Sequence, residues 1–539
     1  MTRGPITLEV LRHALTSVAE EMNANLVRSA YGPNIKERRD CSSAVFDAAG
    51  NLVAQAESIP VHLGAMPFSV AAAIRAVRAH EPGDVVVLND PYAGGAHLPD
   101  ITFVAPVFAR EEIVAFVANR AHHADIGGGA PGSLSARATD IYGEGLRVPP
   151  VRLWRAGELR QDMLALILAN VRTPDERWGD LRAQHAACRT GISRTHDLVS
   201  RYGLDLLRWG MAEVLDYAER RMRQEIARLP PGTAQFADNL DDDGVTGEPL
   251  RIAVRLEIAR DRVRVDFAGS AAQSRGPVNA VFAVTSSAVY YCLRALTDPT
   301  IPPNAGCYRP IEILAPEGTI VNPRPPAPVV GGNIETSQRI VDVVLGAFAQ
   351  ICPGRVPAAS QGTMNNVAIG GTDPRTGRPY TLYETIGGGL GARPNGDGVD
   401  GVHSHMTNTL NTPLEALELA YPLRVERYEL VSGTGGRGKF RGGLGIRRDL
   451  TPLGHTAHVS LLTDRRVGRP YGLAGGEPGA VGRNVLIQDG REIPLPGKTA
   501  LDLQPGETIS VRTPGGGGHG PSAERDPAAR DRDRSEERA

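Results

Sequence analysis

The sequence predicts an α+β fold, mixed and turn-rich, with antiparallel hairpins and several long helices. Three observations carry that reading. Long segments place apolar residues at helical spacing, and short apolar runs are joined by tight turns. In addition, 62 glycines and 41 prolines punctuate a chain of 539 residues in which apolar segments recur throughout, which excludes a collagenous or disordered class.

Taken in order, Pro5 is followed by Ile6, Val10, Leu11, Ala14, Leu15, Val18, Met22 and Leu26, a helical period with proline at the start. "CSSAVFDAAGNLVAQA" reads as a hairpin turning at 47–51. A helix is predicted over 67–80, with Val70, Ala73, Ile74 and Val77 on its apolar side. "DVVVLND" (84–90), "ITFVAPVF" (101–108) and "EIVAFVAN" (112–119) read as strands, and the last two, joined by "AREE", as an antiparallel pair. Helical periodicity returns in "RQDMLALILANVR", continues through "WGDLRAQHAACRTGISRTHDLVSRYG" and ends in a long helix over 204–228.

Composition changes across 229–249. This divides the chain into an N-terminal α+β region, 1–228, and a β-rich α+β region, 229–520. The second opens on strands "LRIAVRLEIA" and "RVRVDFAGS" and carries helices over 284–296 and 336–349. Residues 521–539 are charged and poor in apolar side chains, which predicts a disordered tail.

Bulk properties narrow the function. The length corresponds to roughly three or four domain-sized units. The formal net charge is −2 and basic residues are not massed in one block, which argues against a nucleic-acid or anionic-membrane surface. Five cysteines, none in a CxxC pair, argue against a disulfide framework or zinc ribbon and favour a reduced, cytoplasmic setting. The N-terminus has no signal-peptide core, and no run of about 18 apolar residues predicts a membrane span.

The chemistry concentrates in "NDPYAGGAHLPDIT" (89–102) and "NRAHHADIGGG" (119–129). In an antiparallel pair turning near residue 110, facing residue numbers sum to about 220, so Asp100 falls opposite about Arg120. One hairpin end then gathers His97, Asp100, His122 and His123. Gly94 and Gly95 permit a sharp turn before it, and Pro99 keeps it from being a helix interior. Consecutive strand residues point to opposite faces, so only one of His122 and His123 serves the site. Two imidazoles with a carboxylate suit Zn²⁺, Mn²⁺ or Fe²⁺. Asp40 opens another hairpin, and sequence alone does not bring it there.

Other motifs read as structural. His403 and His405 are spaced like ligands but read as solvated loop histidines. "GTGGRGKF" (433–440) matches a phosphate loop through Lys439, but Phe440 stands where a hydroxyl should hold Mg²⁺. "GGGGHG" (515–520) lacks a βαβ context. Cys41, beside Asp40, Arg38 and Arg39, reads as a small buried strand residue rather than a nucleophile.

At "NDPYAGGAHLPDITFVAPVF" and "NRAHHADIGGGAPGS" the sequence strongly resembles the hydantoinase B/oxoprolinase family. "NIKERRDCSSAVFDAAGNLVAQAESIPVHLGAM", "NVRTPDERWGDLRAQ", "SQGTMNN" and "GKFRGGLG" extend the likeness from about residue 5 to 520. The resemblance implies the B-type subunit of an ATP-dependent cyclic amide hydrolase that opens a hydantoin or 5-oxoproline ring, in a cytoplasmic hetero-oligomer with an A-type partner that binds ATP and Mg. It implies metal ligands at His97, Asp100 and His122, with Asp40 as a further ligand or base, and selects His122 over His123. His123 and Asp125 stand as acid/base or supporting groups. A subunit of an acetone-carboxylase-like enzyme and a non-catalytic scaffold for the A-type subunit remain the alternatives.

Overall fold

A computed structural model describes residues 2–56 and 58–538. The N-terminal part is built on a seven-stranded sheet. Its strands are β1 (Cys41–Asp47), β2 (Leu52–Gln55), β3 (Val85–Leu88), β4 (Asp100–Ala109), β5 (Glu112–His122), β6 (Val151–Arg155) and β7 (Glu158–Leu159), ordered β2-β1-β5-β4-β3-β6-β7. Every pairing in it is antiparallel. Helices α1 (Pro5–Ser29), α2 (Pro60–Ala76), α3 (Gln161–Ala169), α4 (Pro174–Tyr202) and α5 (Leu204–Ala227) accompany it.

Residue parity divides the two faces of this sheet, as the strand period requires. Cys41, Val45, Ile101, Phe103, Val117 and Ala121 pack toward α1 and α4. Ala44, Phe46, Val104, Phe116 and Ala118 pack against Met66, Val70 and Ala73 of α2. Because both faces are covered, the strands read as continuous apolar runs rather than alternations.

Three smaller sheets of four, four and five strands make up the rest. The first contains Gly232–Leu240, Leu250–Ala259, Arg262–Asp266 and Ile311–Leu314. Two buried helices, α6 (Phe282–Leu296) and α7 (Ser337–Ile351), lie between the parts, and α6 packs on α2. One apolar cluster runs from Leu8 to Leu462, across the change in composition at 229. Among the described residues no helix is long and apolar enough to cross a membrane.

Three details depart from the sequence reading. The β4–β5 turn is a two-residue loop, with Arg110 at φ 51° and Glu111 at φ 66°. The pairing then shifts between Val107 and Phe108, leaving Val114 as an extra residue, so Asp100 faces His122 rather than about Arg120. Helix α2 starts at Pro60, with Pro67 inside it, and not at 67. The N-terminal proline of the helix is Pro60, seven residues before the predicted start.

The tail is the third. Residues 527–535 form helix α8 (Pro527–Ser535), capped by the Asp526 side chain accepting from the Ala528 amide. Arg525 binds Asp397 at 2.8 Å and Asp533 at 2.7 Å, and Arg441 lies 3.5 Å from Asp533. Apolar content misjudged this segment because ion pairs, not apolar burial, hold it. The two phosphate-loop lookalikes pack on each other: the Phe440 and Gly436 amides donate to the carbonyls of His519 and Gly516. A side chain on Gly389 would run into the Gly443 carbonyl, which explains the glycine density there.

Candidate metal centre

Asp40, His122 and Asp100 occupy one row across three adjacent strands. Cys41 pairs with Ala121, so Asp40, just before β1, meets the last residue of β5, and the His122 amide donates to the Asp40 carbonyl at 3.0 Å. His122 in turn faces Asp100 across the β5–β4 ladder. Directly opposed residues share a face, so all three side chains lie on the α2 side of the sheet.

His97, in the turn before β4, completes a buried triad. One ligand atom each from His97, Asp100 and His122 lie within 4.8 Å of one another. Asp100 Oδ1 is 3.1 Å from His97 Nε2 and 3.3 Å from His122 Nδ1. The other nitrogen of His97, Nδ1, lies 3.4 Å from the Val330 carbonyl, which orients the ring. His97 Nε2, His122 Nε2 and Asp100 Oδ2 are buried without a hydrogen-bond partner among the described residues. Orphaned polar atoms converging in one buried spot are costly unless something binds them. The donor set fits a divalent transition metal.

The structure adds a residue the sequence reading missed. His62, in the first turn of α2, places Nε2 3.3 Å from Asp100 Oδ2 and 3.7 Å from Asp40 Oδ1. Its Nδ1 is 3.3 Å from the Ser42 hydroxyl. Starting the helix at 67 had left His62 in an unassigned loop. Burial works against the Asp100 carboxylate, but the adjacent His97, His62 and His122 outweigh it and hold the carboxyl well below its usual range. Burial also lowers His122, keeping its ring in the neutral form a metal requires.

The C-terminal half walls the site. Tyr383 stacks on His122 with ring centroids 4.5 Å apart. Arg38, fully buried, donates to the Tyr383 carbonyl at 3.0 Å and the Thr385 hydroxyl at 2.6 Å. The Tyr383 hydroxyl donates to Asn366 Oδ1 at 2.8 Å, and Asn366 Nδ2 to Glu335 Oε1 at 2.7 Å. Glu335 sits in a π-helical turn, Gly332–Thr336, that opens α7. Burial, then Asp464, push its carboxyl up to about 7.

His123 and Asp125 are not brought to the triad. His123 has the opposite parity, and its Nε2 lies 2.9 Å from Gln184 Oε1 on α4. Burial, then Arg177, lower it to about 4. Asp125 is bound by Arg172 Nη1 at 2.7 Å and by the backbone amides of Gly127 and Arg172. Their side chains have structural partners already. His403 and His405 are not solvated as expected: His403 has its Nε2 3.5 Å from the Thr409 hydroxyl, and buried His405 has its Nδ1 3.4 Å from the Tyr291 hydroxyl. All five cysteines are free and buried, and burial raises the Cys41 thiol, then Asp40, which suits packing rather than nucleophilic chemistry.

Comparison with known proteins bears on this geometry. The family model described as hydantoinase B/oxoprolinase matches residues 4–522. An uncharacterized protein of Methanocaldococcus jannaschii is 45% identical over 97% of this chain and 91% of its own length. The 5-oxoprolinase of Dictyostelium discoideum is 38% identical over 96% of this chain, which spans only 40% of that protein. Among solved structures, the ATP-dependent caprolactamase from Pseudomonas jessenii superposes with a TM-score of 0.91 at 32% identity, covering 100% of this chain and 95% of that one. A nucleotide-free acetone carboxylase superposes with a TM-score of 0.91 at 20% identity, covering 99% of this chain and 78% of that one, a likeness of fold.

Proposed function

The chain belongs to the hydantoinase B/oxoprolinase family, and from that premise we propose that it is the B-type subunit of an ATP-dependent cyclic amide hydrolase. Its substrate class is a hydantoin, 5-oxoproline or related lactam, and its partner an A-type subunit that carries ATP and Mg. The observation that carries the reading is the buried His97–Asp100–His122 triad, with unpartnered ligand atoms, in a chain superposing on a caprolactamase over its whole length. A ring amide is a weak electrophile. Transfer of a phosphoryl group to its oxygen by the partner activates the carbon for water attack, and the overall reaction yields ADP, phosphate and a ring-opened product.

In this reading His97, Asp100 and His122 hold a divalent Zn, Mn or Fe ion, with Asp40 as a further oxygen ligand or as base. When bound, that ion supplies a Lewis acid beside the reacting carbonyl. Asp40 accepts the proton of the attacking water at its carboxylate. His62 holds the carboxylates of Asp40 and Asp100 in position, and Tyr383 fixes the His122 ring and excludes water from its face. In this reading His123 and Asp125 take no part in the chemistry, a reading supported by the partners their side chains already have.

The test is ADP release and ring opening by this chain together with its A-type partner. Release stimulated by hydantoin or 5-oxoproline, and abolished by His97→Ala in an assembled complex, supports the reading. Bicarbonate-dependent ketone consumption would establish the carboxylase alternative instead. Full activity of the His97→Ala complex would leave only a scaffold role.

A further inference from the structure

A second charged cavity lies far along the chain from the triad, where the C-terminal tail folds against the loop 433–441. It encloses about 380 Å³ and is lined by Arg437, Arg441, Arg525, Arg530, Arg534 and Arg538, with Asp533 as the acidic member of the lining. Six guanidinium groups and one carboxylate line this concave space, where field lines are focused.

Neighbouring acids neutralise only part of the guanidinium charge. Asp397 takes Arg525 at 2.8 Å, Asp400 takes Arg441 at 2.9 Å and Arg538 at 3.2 Å, Glu536 takes Arg538 at 2.7 Å and Asp531 lies 3.7 Å from Arg534, which leaves Arg437 and Arg530 without a carboxylate among the described residues. Among the described residues the Arg530 side chain donates only to the carbonyls of Ser522 and Ala523. Arg437 makes no ion pair or side-chain hydrogen bond among the described residues. Arg441 is 5% exposed, and its Nε faces Asp533 Oδ1 at 3.5 Å.

The loop itself offers further donors. Gly433, Gly435 and Gly438 line the cavity, and their amides donate to no backbone carbonyl among the described residues. Backbone N–H groups in a glycine-rich loop, joined by forked guanidinium groups, are the donor set for a phosphate. The loop lacks the hydroxyl and following helix of a phosphate loop, so the arginines must supply what Mg²⁺ supplies there. Four of the six arginines, Arg525, Arg530, Arg534 and Arg538, lie beyond residue 522, outside the family match.

We propose that this cavity is a binding site for a diphosphate-bearing small molecule, inorganic pyrophosphate or the phosphate end of a nucleotide, recognised by the arginines of the tail and the amides of the 433–438 loop. The cavity falls within the size range of small-molecule sites, roughly 300–1,000 Å³. The inference does not depend on the hydrolase reading, since none of its residues belongs to the triad.

Calorimetric titration of the full chain with inorganic phosphate, pyrophosphate and ADP tests it, with no Mg²⁺ present. Saturable pyrophosphate binding is expected, at least about tenfold tighter than phosphate because each added charge engages another guanidinium. Binding should weaken as ionic strength rises. The ratio of ADP to pyrophosphate affinity separates a nucleotide from free pyrophosphate as the ligand, and saturable binding of either supports the site. The double variant Arg437→Gln, Arg534→Gln, both exposed and checked for folding by circular dichroism, should lose at least about tenfold in affinity, while His97→Ala should lose none. The proposal is overturned if pyrophosphate and ADP fail to saturate, if the double variant binds as the parent does, or if a poly-glutamate peptide binds more tightly than pyrophosphate. That last result would assign the cavity to an acidic protein segment.

Discussion

Asp100 and His122 face each other across the β4–β5 ladder, with Asp100 Oδ1 3.3 Å from His122 Nδ1. The pairing depends on the extra residue at Val114. Without that shift the parity along β5 would change, and His122 would turn toward α4 while His123 took the α2 face.

Metal content should follow the triad. His97→Ala and His122→Ala are expected to fall from about one divalent ion per chain to near none, since three donors rarely keep a metal after losing one. Elemental analysis beside far-ultraviolet circular dichroism checks this, and a variant that keeps its metal while folded would remove the residue from the ligand set.

His62→Ala should act more weakly and on a different quantity. It removes the group that aligns both Asp40 and Asp100. Loss of such a supporting partner costs about 10–100-fold in metal affinity or activity. Competition with a calibrated chelator measures it, and an unchanged affinity would show that the two carboxylates are positioned by the strands alone.

Asp125→Ala should damage stability rather than chemistry. Its carboxylate is fully buried against Arg172 and two backbone amides. Breaking a buried pair from one side costs roughly 3–5 kcal/mol, here at the low end because Arg172 is partly exposed. A lowered denaturation midpoint with unchanged metal content is the expected pattern. Unchanged stability with lost turnover would return Asp125 to the reaction.

Glu335 predicts a pH dependence. Its folded carboxyl is raised to about 7 from an ordinary 4.5, so the folded chain holds the proton more tightly than the unfolded one. The folded state is therefore favoured below pH 4.5 by this group, and that advantage is lost as pH rises through about 7. Glu335→Gln keeps an acceptor for Asn366 and Met364 and places a donor at the idle Oε2. The variant should gain stability relative to the parent at pH 8 but little at pH 4, by about 3 kcal/mol at most. Parallel denaturant curves across that range decide it, and a constant difference would exclude Glu335 as the source.

Much of this was legible in the sequence, and for identifiable reasons. Strand and helix periods are local, so β1, β2, the strand Leu250–Ala259 and the start of α1 were placed within a residue or two. The motif "GGAHLPD" and the histidines at 122 and 123 could be gathered because a hairpin joins them through a short turn. Asp40 and His62 could not. Asp40 reaches the site by pairing of β1 with β5, some 80 residues on, and His62 by the packing of α2 on the sheet.

What the sequence determined by itself was the family, the residue types of the candidate site and the elements that bear them, because residue type and period act over a few positions. What only the tertiary structure decided was which side chains share a face. The bulge at Val114 sets the parity that selects His122, α2 delivers His62, and Tyr383 closes the pocket from the other half of the chain. The same holds for the tail, whose arginines find Asp397 and Asp400 only after the chain has folded. Register, packing and long-range ion pairing are properties of chain segments brought together, and no local pattern encodes them.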